Sequence, residues 1–278
     1  MTIKKANMTA SPAIQHRLLL PLHHFKQMVT SYAPTLLLAI GLLVGWEIVV
    51  RSLEIPDWLL PPPSQIARTA VHDLPVLQHH TTTTLLTTTL GTTLALVVGF
   101  TLALLLDTSP LIRRAIYPLL VASQTMPIVA IAPLLVVGFG FGLLPKVIVV
   151  TLVMFFPLVI NTVDGLRTSD TDTVRLMQAM NANRWQMLWL LRIPSALPSI
   201  FSGLKVAITY SVIGAVLAEW IGASAGLGVY IARSLRAFRT DQVFVAIVAT
   251  SLLTVGLFLV IMALERWLTP WNDGAKNT

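Results

Sequence analysis

RLMQAMNANRWQMLWLLRIPSALPSI, residues 175–200, interrupts a chain that is otherwise a string of apolar runs. It carries three arginines and two prolines between two long hydrophobic segments. Read as a helix over 172–192, it has an apolar side of Leu176, Met180, Met187 and Leu190 or Leu191. Arg175, Asn181, Arg184 and Arg192 supply its polar positions. Asp170 or Asp172 stands where an acidic cap favours a helix start. Pro194 and Pro198 then mark a turn into the next apolar run. Such a helix fits the inner face of a membrane, either lying there alone or docking another protein.

Composition supplies the membrane. Of 278 residues, 55% are apolar and 11% are charged, and the mean hydropathy is +0.78. A soluble globular chain carries about 25% charged residues. So few charges cannot cover a water-facing surface, so much of this surface faces lipid. The chain has no cysteine, which excludes disulfides, thiolate metal sites and cysteine nucleophiles. Six histidines stand singly or as adjacent pairs, without a metal-ligand spacing such as HExxH. Neither GxGxxG nor GxxxxGK[ST] occurs, so the chain shows no nucleotide site of its own. The net charge of +7 lies between apolar runs and is better used to orient the chain in a membrane than to bind nucleic acid.

Six apolar runs are legible, and they make the chain an all-α integral membrane protein with six transmembrane helices. They lie at 33–50, from the threonine run to Asp107, and at 115–142, 146–163, 197–220 and 242–267. Three prolines at 61–63 close the first. Threonines in the second can bond back to the preceding helical turn, which makes them tolerable in lipid. Pro118, Pro127 and Pro133 make the third a bent or broken span, whose freed carbonyls need protein or water around them. With the N-terminus inside, twelve Lys and Arg fall on inner segments and six on outer ones, which puts both ends in the cytoplasm. Residues 1–30 read as a cytoplasmic arm, with an interfacial helix near 16–25, and 268–278 as a short cytoplasmic tail. The transmembrane domain is 31–267, and its longest inner loop is 164–195.

Ionisable residues at membrane depth are costly, and each has a role to be found. Glu47 lies near the outer end of the first span and reaches the interface. Lys205 snorkels to headgroups from the inner end of the fifth. Glu219 starts an outer glycine-rich loop, where Gly222, Gly226 and Gly228 permit a re-entrant or tightly turned segment. Arg233, Arg236 and Arg239 recur every third residue and share a solvated helical face or a solute entrance. Ser123, Gln124, Thr125, Asn161, Thr209, Tyr210 and Ser211 are the polar candidates for a solute pathway, or for bonds between helices.

Roughly residues 36–267 resemble the inner-membrane permease subunit of binding-protein-dependent ABC importers, near the nitrate, sulfonate and taurine branch. The family's hallmark is EAA, three residues, Gly, nine residues, then Ile-x-Leu-Pro. Arg175, Leu176 and Met177 match the triplet, Asn181 the glycine, and Leu191 to Pro194 the final element. The spacing and the proline are kept, whereas the triplet and the glycine are not. NANRWQ at 181–186, LPPPSQI at 60–66, MPIVAIAPLLVVGFGFG at 126–142, FFPLVINTVDGLR at 155–167 and AEWIGASAGLGVYI at 218–231 extend the match. Asn181 and the methionine-rich helix resemble the subgroup that handles thiamine precursors such as hydroxymethylpyrimidine.

The resemblance implies the type I importer permease (MetI-like) fold in the inner membrane, and a non-catalytic subunit. It implies a second permease copy, cytoplasmic ATPase subunits that bind ATP and Mg, and an extracytoplasmic solute-binding protein. Arg175, Met177, Asn181, Arg184, Trp185 and Pro194 would meet the ATPase. Glu219, Gly222, Gly226 and Gly228 would form a gate or a contact for the binding protein. Sulfonate, taurine, nitrate and riboflavin are the alternative solutes. A secondary transporter or channel would also use a broken span, but it leaves the docking piece unexplained, and a membrane enzyme would need a catalytic cluster that is not visible.

Overall fold

The structure, a computed structural model, describes residues 33–271. The expected N-terminal arm, its interfacial helix and the tail beyond residue 271 lie outside the described residues. The chain divides into two units, up to Gln65 and from Ile66 onward.

In the first unit, helix α1 (Ala33–Ser52) carries the first apolar run. Its Glu47 is not simply turned to the interface. The carboxylate accepts hydrogen bonds from the backbone N–H and the hydroxyl of Ser64, at 3.0 and 2.7 Å, and from Arg51 one helical turn away at 2.6 Å. Ser64 lies at the start of α2 (Pro63–His72), just after the three prolines. A carboxylate there satisfies an amide that the helix leaves unpaired.

The second unit contains α3 (Leu74–Thr108), α4 (Pro110–Ser123), α5 (Ile128–Phe139) and α6 (Leu143–Arg167). It continues through α7 (Thr171–Ala179), α8 (Arg184–Met187), a π-helical turn (Leu188–Arg192), α9 (Ile193–Gly222), α10 (Leu227–Arg236) and α11 (Thr240–Leu268). Among the described residues every regular element is helical. Five helical stretches are long and apolar enough to cross a membrane, namely α1, α3, α6, the continuous Arg184–Gly222 and α11. Helices α4 and α5 form a sixth if they are taken together as one span bent by 96°. Pro127 stands at that bend, while Pro118 and Pro133 ride inside the two halves.

Helix α6 packs along both α3 and α9. A side chain at Gly91 of α3 would collide with Val150 of α6, and one at Gly203 of α9 with Asn161 of α6. These close approaches set the directions of the helices. Gly99 meets Leu158, so α6 runs parallel to α3, whereas Gly214 meets Val153, so α9 runs antiparallel to α6. Ala95, Val150, Met154, Leu158, Leu204 and Ile208 fill the core between the three. The threonines of α3 are tolerated as expected. Thr83, Thr87, Thr89, Thr93 and Thr101 each donate to the carbonyl four residues back, at 2.7–3.1 Å.

Three boundaries differ from the sequence reading. Helix α3 starts at Leu74, well ahead of the threonine run, and His80, buried like Thr84 and Thr87, continues its buried face. The segment expected as one helix over 172–192 is broken between Ala179 and Arg184. Pro194 and Pro198 do not turn the chain: both lie within the continuous stretch Arg184–Gly222. Helix α9 is preceded by a π turn in which the N–H of Ile193 bonds the carbonyl of Leu188, five residues back. The ladder has already slipped by one residue there. The N–H that Pro194 lacks, and the carbonyl it displaces, are therefore absorbed at the α9 entry, whereas Pro198 rides inside α9.

Candidate functional site

Two polar regions stand at opposite ends of the second unit. One is formed where α3, α6 and α11 finish and α9 begins. The other is formed where α3, α6 and α11 begin and α9 finishes.

The first end carries the interrupting segment. Asp170 caps α7, its carboxylate accepting from the backbone N–H of Thr173 at 3.0 Å and from its hydroxyl at 2.7 Å. The Thr173 hydroxyl and amide hold the Asp170 carboxyl below its ordinary value. Helix α7 stops because Asn181 is left-handed, with φ of 56°. Asparagine is among the few residues besides glycine that take this conformation readily. A reciprocal cap then restarts the helix. Asn183 accepts from the Gln186 N–H at 2.7 Å, and the Gln186 side chain accepts from the Asn183 N–H at 2.9 Å. The result is a tight elbow whose second arm runs without interruption into α9.

The candidate docking residues fall on this elbow. Arg175 is exposed and pairs only loosely with Asp172, at 3.5 Å. Met177 is half-buried and Arg184 exposed. Trp185 is 67% exposed and sits edge-on to Trp189, with ring centroids 5.6 Å apart. Leu176, Met180 and Leu190 are also exposed. Pro194 lies behind them in the first turn of α9. Two ion pairs brace this end, Arg192 to Asp107 of α3 and Lys205 to Glu265 of α11 at 2.8 Å. Lys205 therefore does not snorkel to headgroups: its ammonium is held between two helices.

The second end is a buried clasp. Glu219 does not open a loop but lies inside the last turn of α9, 1% exposed. Its carboxylate accepts from the hydroxyl of Thr84 at 2.9 Å and from the backbone N–H of Gly228 at 2.9 Å. His80 Nδ1 accepts from the N–H of Gly226 at 3.0 Å, and the Thr84 oxygen accepts from the N–H of Leu227 at 2.8 Å. Gly226 has a φ of 130°, which a side chain would strain, and any Cβ there would overlap the Glu219 carboxylate. The glycine-rich stretch is thus a tight turn folded over a carboxylate, with Gly222 closing α9 and Gly228 inside α10.

Beside the clasp, Asp73 accepts from Tyr230 at 2.8 Å and Gln242 at 2.6 Å, and Thr69 donates to Asp241 at 2.8 Å. Burial pushes the Asp73 carboxyl up, but hydrogen bonds from His72, Tyr230 and Gln242 together with the Arg239 charge hold it below its ordinary value. Burial and the Asp73 carboxylate push the Tyr230 phenol up. Arg233, Arg236 and Arg239 are all exposed, but they do not share one helical face: α10 ends at Arg236, Phe238 is left-handed, and Arg239 stands at the start of α11.

The pathway candidates are not gathered in one place. Ser123 and Thr125 donate to nearby carbonyls at the α4–α5 bend, at 2.7 and 2.8 Å, and Gln124 is exposed between them. Asn161 bonds the carbonyl of Pro157 at 2.7 Å, and Ser211 is buried. Thr209 lines an apolar groove of about 640 Å³ between α9, α10 and α11, while Tyr210 is 52% exposed beside it. Among the described residues no cluster of three or more His, Asp or Glu is placed to hold a metal ion.

Reading the sequence missed His80, Thr84, Asp73, Tyr230 and Asp107. A signal for the first two was present. His80, Thr84, Thr87, Thr88, Gly91 and Ala95 recur at three- and four-residue spacing, and all are buried.

Comparison with known proteins follows this geometry. Residues 91–273 match the family described as binding-protein-dependent transport system inner membrane component. The formylaminopyrimidine transport permease protein ThiX of Halalkalibacterium halodurans is 40% identical over 248 residues, 89% of this chain and 98% of that protein. The riboflavin transport system permease protein RibX of Chloroflexus aurantiacus is 35% identical, covering 83% and 87% of the two chains. The taurine transport system permease protein TauC of Escherichia coli is 29% identical, covering 84% and 88%. The chain, a helical membrane protein with an elbow at one end and a clasp at the other, belongs to the inner-membrane permease family of binding-protein-dependent ABC transport systems.

Proposed function

We propose that this chain is the membrane-spanning subunit of an ATP-driven importer, that it meets a separate ATPase through the α7–α8 elbow, and that its solute is a substituted pyrimidine of the thiamine-precursor class. The observation that carries the docking role is the exposed apolar surface of the elbow, with Leu176, Met180, Trp185, Trp189 and Leu190 on a segment otherwise capped and polar. Apolar side chains grouped in this way mark a surface that a partner covers. The 40% identity to a permease named for formylaminopyrimidine supports the solute class.

In this reading the elbow lies in the cytoplasm with both termini. A second permease copy completes the pathway, and a binding protein meets the opposite end. The chain performs no bond chemistry. ATP bound by the partner draws two elbows together, and each elbow is the start of a helix that crosses the membrane. The 39 residues of Arg184–Gly222 span about 58 Å at 1.5 Å per residue. A displacement at Trp185 therefore reaches the Glu219 clasp through one continuous helical element. The ligand states bias two arrangements of that element rather than act on the solute directly.

The test is reconstitution with the cognate ATPase and binding protein in proteoliposomes. Hydroxymethylpyrimidine is expected to stimulate ATP hydrolysis, whereas taurine, alkanesulfonates, nitrate, riboflavin and thiamine are not. Stimulation by a sulfonate instead would replace the solute and keep the importer. Failure to assemble any ATP-hydrolysing complex would overturn the importer reading itself.

A further inference from the structure

At the clasp end, a recess of about 450 Å³ opens between the start of α6, the end of α9 and α10. Phe141, Lys146, Trp220, Gly222, Ser224 and Arg236 line it. Lys146 is only 8% exposed as a residue, its ammonium is not among the fully buried polar atoms, and it makes no hydrogen bond or ion pair among the described residues. Its nearest carboxylate influence is Glu219, on which it acts by charge alone, and the oxygens of Glu219 are occupied by Thr84 and Gly228. Arg236 is exposed on the opposite wall and is also without a hydrogen bond or ion pair among the described residues. Arg233, by contrast, is engaged, donating to the Ser224 carbonyl at 3.1 Å and fixing the turn that walls the recess.

A lysine whose stem is buried and whose charge is met only at a distance by Glu219 is stabilised by an anion that enters the recess. The recess sets a point charge and a planar guanidinium around one volume, with aromatic walls that strengthen electrostatics inside. We propose that this recess is a binding site for a phosphate-type oxyanion, held between Lys146 and Arg236 with Trp220 beside it. Either of two sources supplies that group: the headgroup of an anionic phospholipid, since Trp220 and Phe141 are side chains suited to the headgroup layer, or a free oxyanion in solution. The proposal does not depend on which solute the chain transports.

The test is thermal unfolding of the purified full chain. Sodium phosphate is compared with sodium chloride at matched ionic strength in detergent. Phosphatidylcholine nanodiscs are compared with and without phosphatidylglycerol. A rise in melting temperature with phosphate identifies the free oxyanion, and a rise with phosphatidylglycerol alone identifies the headgroup. Lys146→Met is expected to lose the rise. Arg236→Gln, at an exposed position, is expected to leave the probe-free melting temperature unchanged. It should weaken apparent affinity for the probe by about ten- to a hundredfold, as loss of a charge-assisted contact does. No rise with either probe, or a rise of the same size in both variants, overturns the proposal. Should Lys146→Met fail to fold, Arg236→Gln still decides.

Discussion

Asn181 shows how a departure from a family pattern can keep its physics. The resemblance places glycine at this position, and the structure gives Asn181 a φ of 56°. The requirement there is a left-handed backbone, and asparagine meets it at lower cost than other side-chain-bearing residues. Asparagine at a glycine position was thus the one signal for a bend at 181 in a segment that reads as a single helix. The sequence did not make legible the reciprocal Asn183–Gln186 cap that restarts the helix two residues later, because the pair reads equally well as the polar face of an unbroken helix. Asn181→Gly is expected to couple as well as the parent. Asn181→Val forces a β-branched residue into the left-handed region, at about 1–2 kcal/mol, and should lower solute-stimulated ATP hydrolysis roughly tenfold at unchanged membrane insertion. Stimulation equal to the parent in the valine variant would show that docking does not need this turn. Arg175, at the position of the family's glutamate, is a weaker target. Its exposed pair with Asp172 is of a kind that contributes about 0–1 kcal/mol.

At the scale of elements, the informative one is the stretch that the sequence divided and the structure joins. Pro194 and Pro198 argued for a turn, and that argument fails: the π turn at Leu188–Arg192 accommodates Pro194 in the first turn of α9, and Pro198 is carried inside the helix. Periodicity cannot see such a slip, since one extra residue in a turn rotates the apolar face without abolishing it. Lys205 and Glu265 were unreadable for a different reason. They are 60 residues apart, and only the antiparallel packing of α9 and α11 brings them together. Glu219 likewise acquires its partners from α3 and α10. What joins elbow and clasp is a single helix, and its stiffness is open to test. Replacing Leu188 and Leu191, both half-buried in the π turn and outside the exposed docking surface, by glycine should soften the junction by about 2 kcal/mol in helix propensity. Basal ATP hydrolysis by the assembled complex is expected to persist, while solute uptake falls away. Uptake and hydrolysis declining in proportion would mean that the junction transmits nothing and that the elbow merely anchors the ATPase.

At the scale of the whole molecule, the arrangement of the second unit makes a prediction about the membrane that no single element makes. Helix α3 of 35 residues is about 52 Å long, and Arg184–Gly222 is longer still. Both exceed a hydrocarbon core of about 30 Å. Their ends therefore stand beyond it, the elbow on one side and the clasp with α10 on the other. The proposed orientation, argued from the Lys and Arg count, has the elbow inside, and the packing directions put Arg233 at the opposite end from Arg175 whatever the orientation. The absence of cysteine from the sequence makes this directly measurable, because a single introduced thiol is the only one present. Arg233→Cys and Arg175→Cys both place that thiol at an exposed position outside the apolar runs. In intact spheroplasts a membrane-impermeant maleimide is expected to label Arg233→Cys at once and Arg175→Cys only after permeabilisation. The reverse pattern would invert the topology and place the elbow where no cytoplasmic ATPase can reach it. Labelling of both from one side would contradict the helix directions themselves, since Gly91 to Val150 and Gly203 to Asn161 contacts fix the two ends on opposite faces of the bundle.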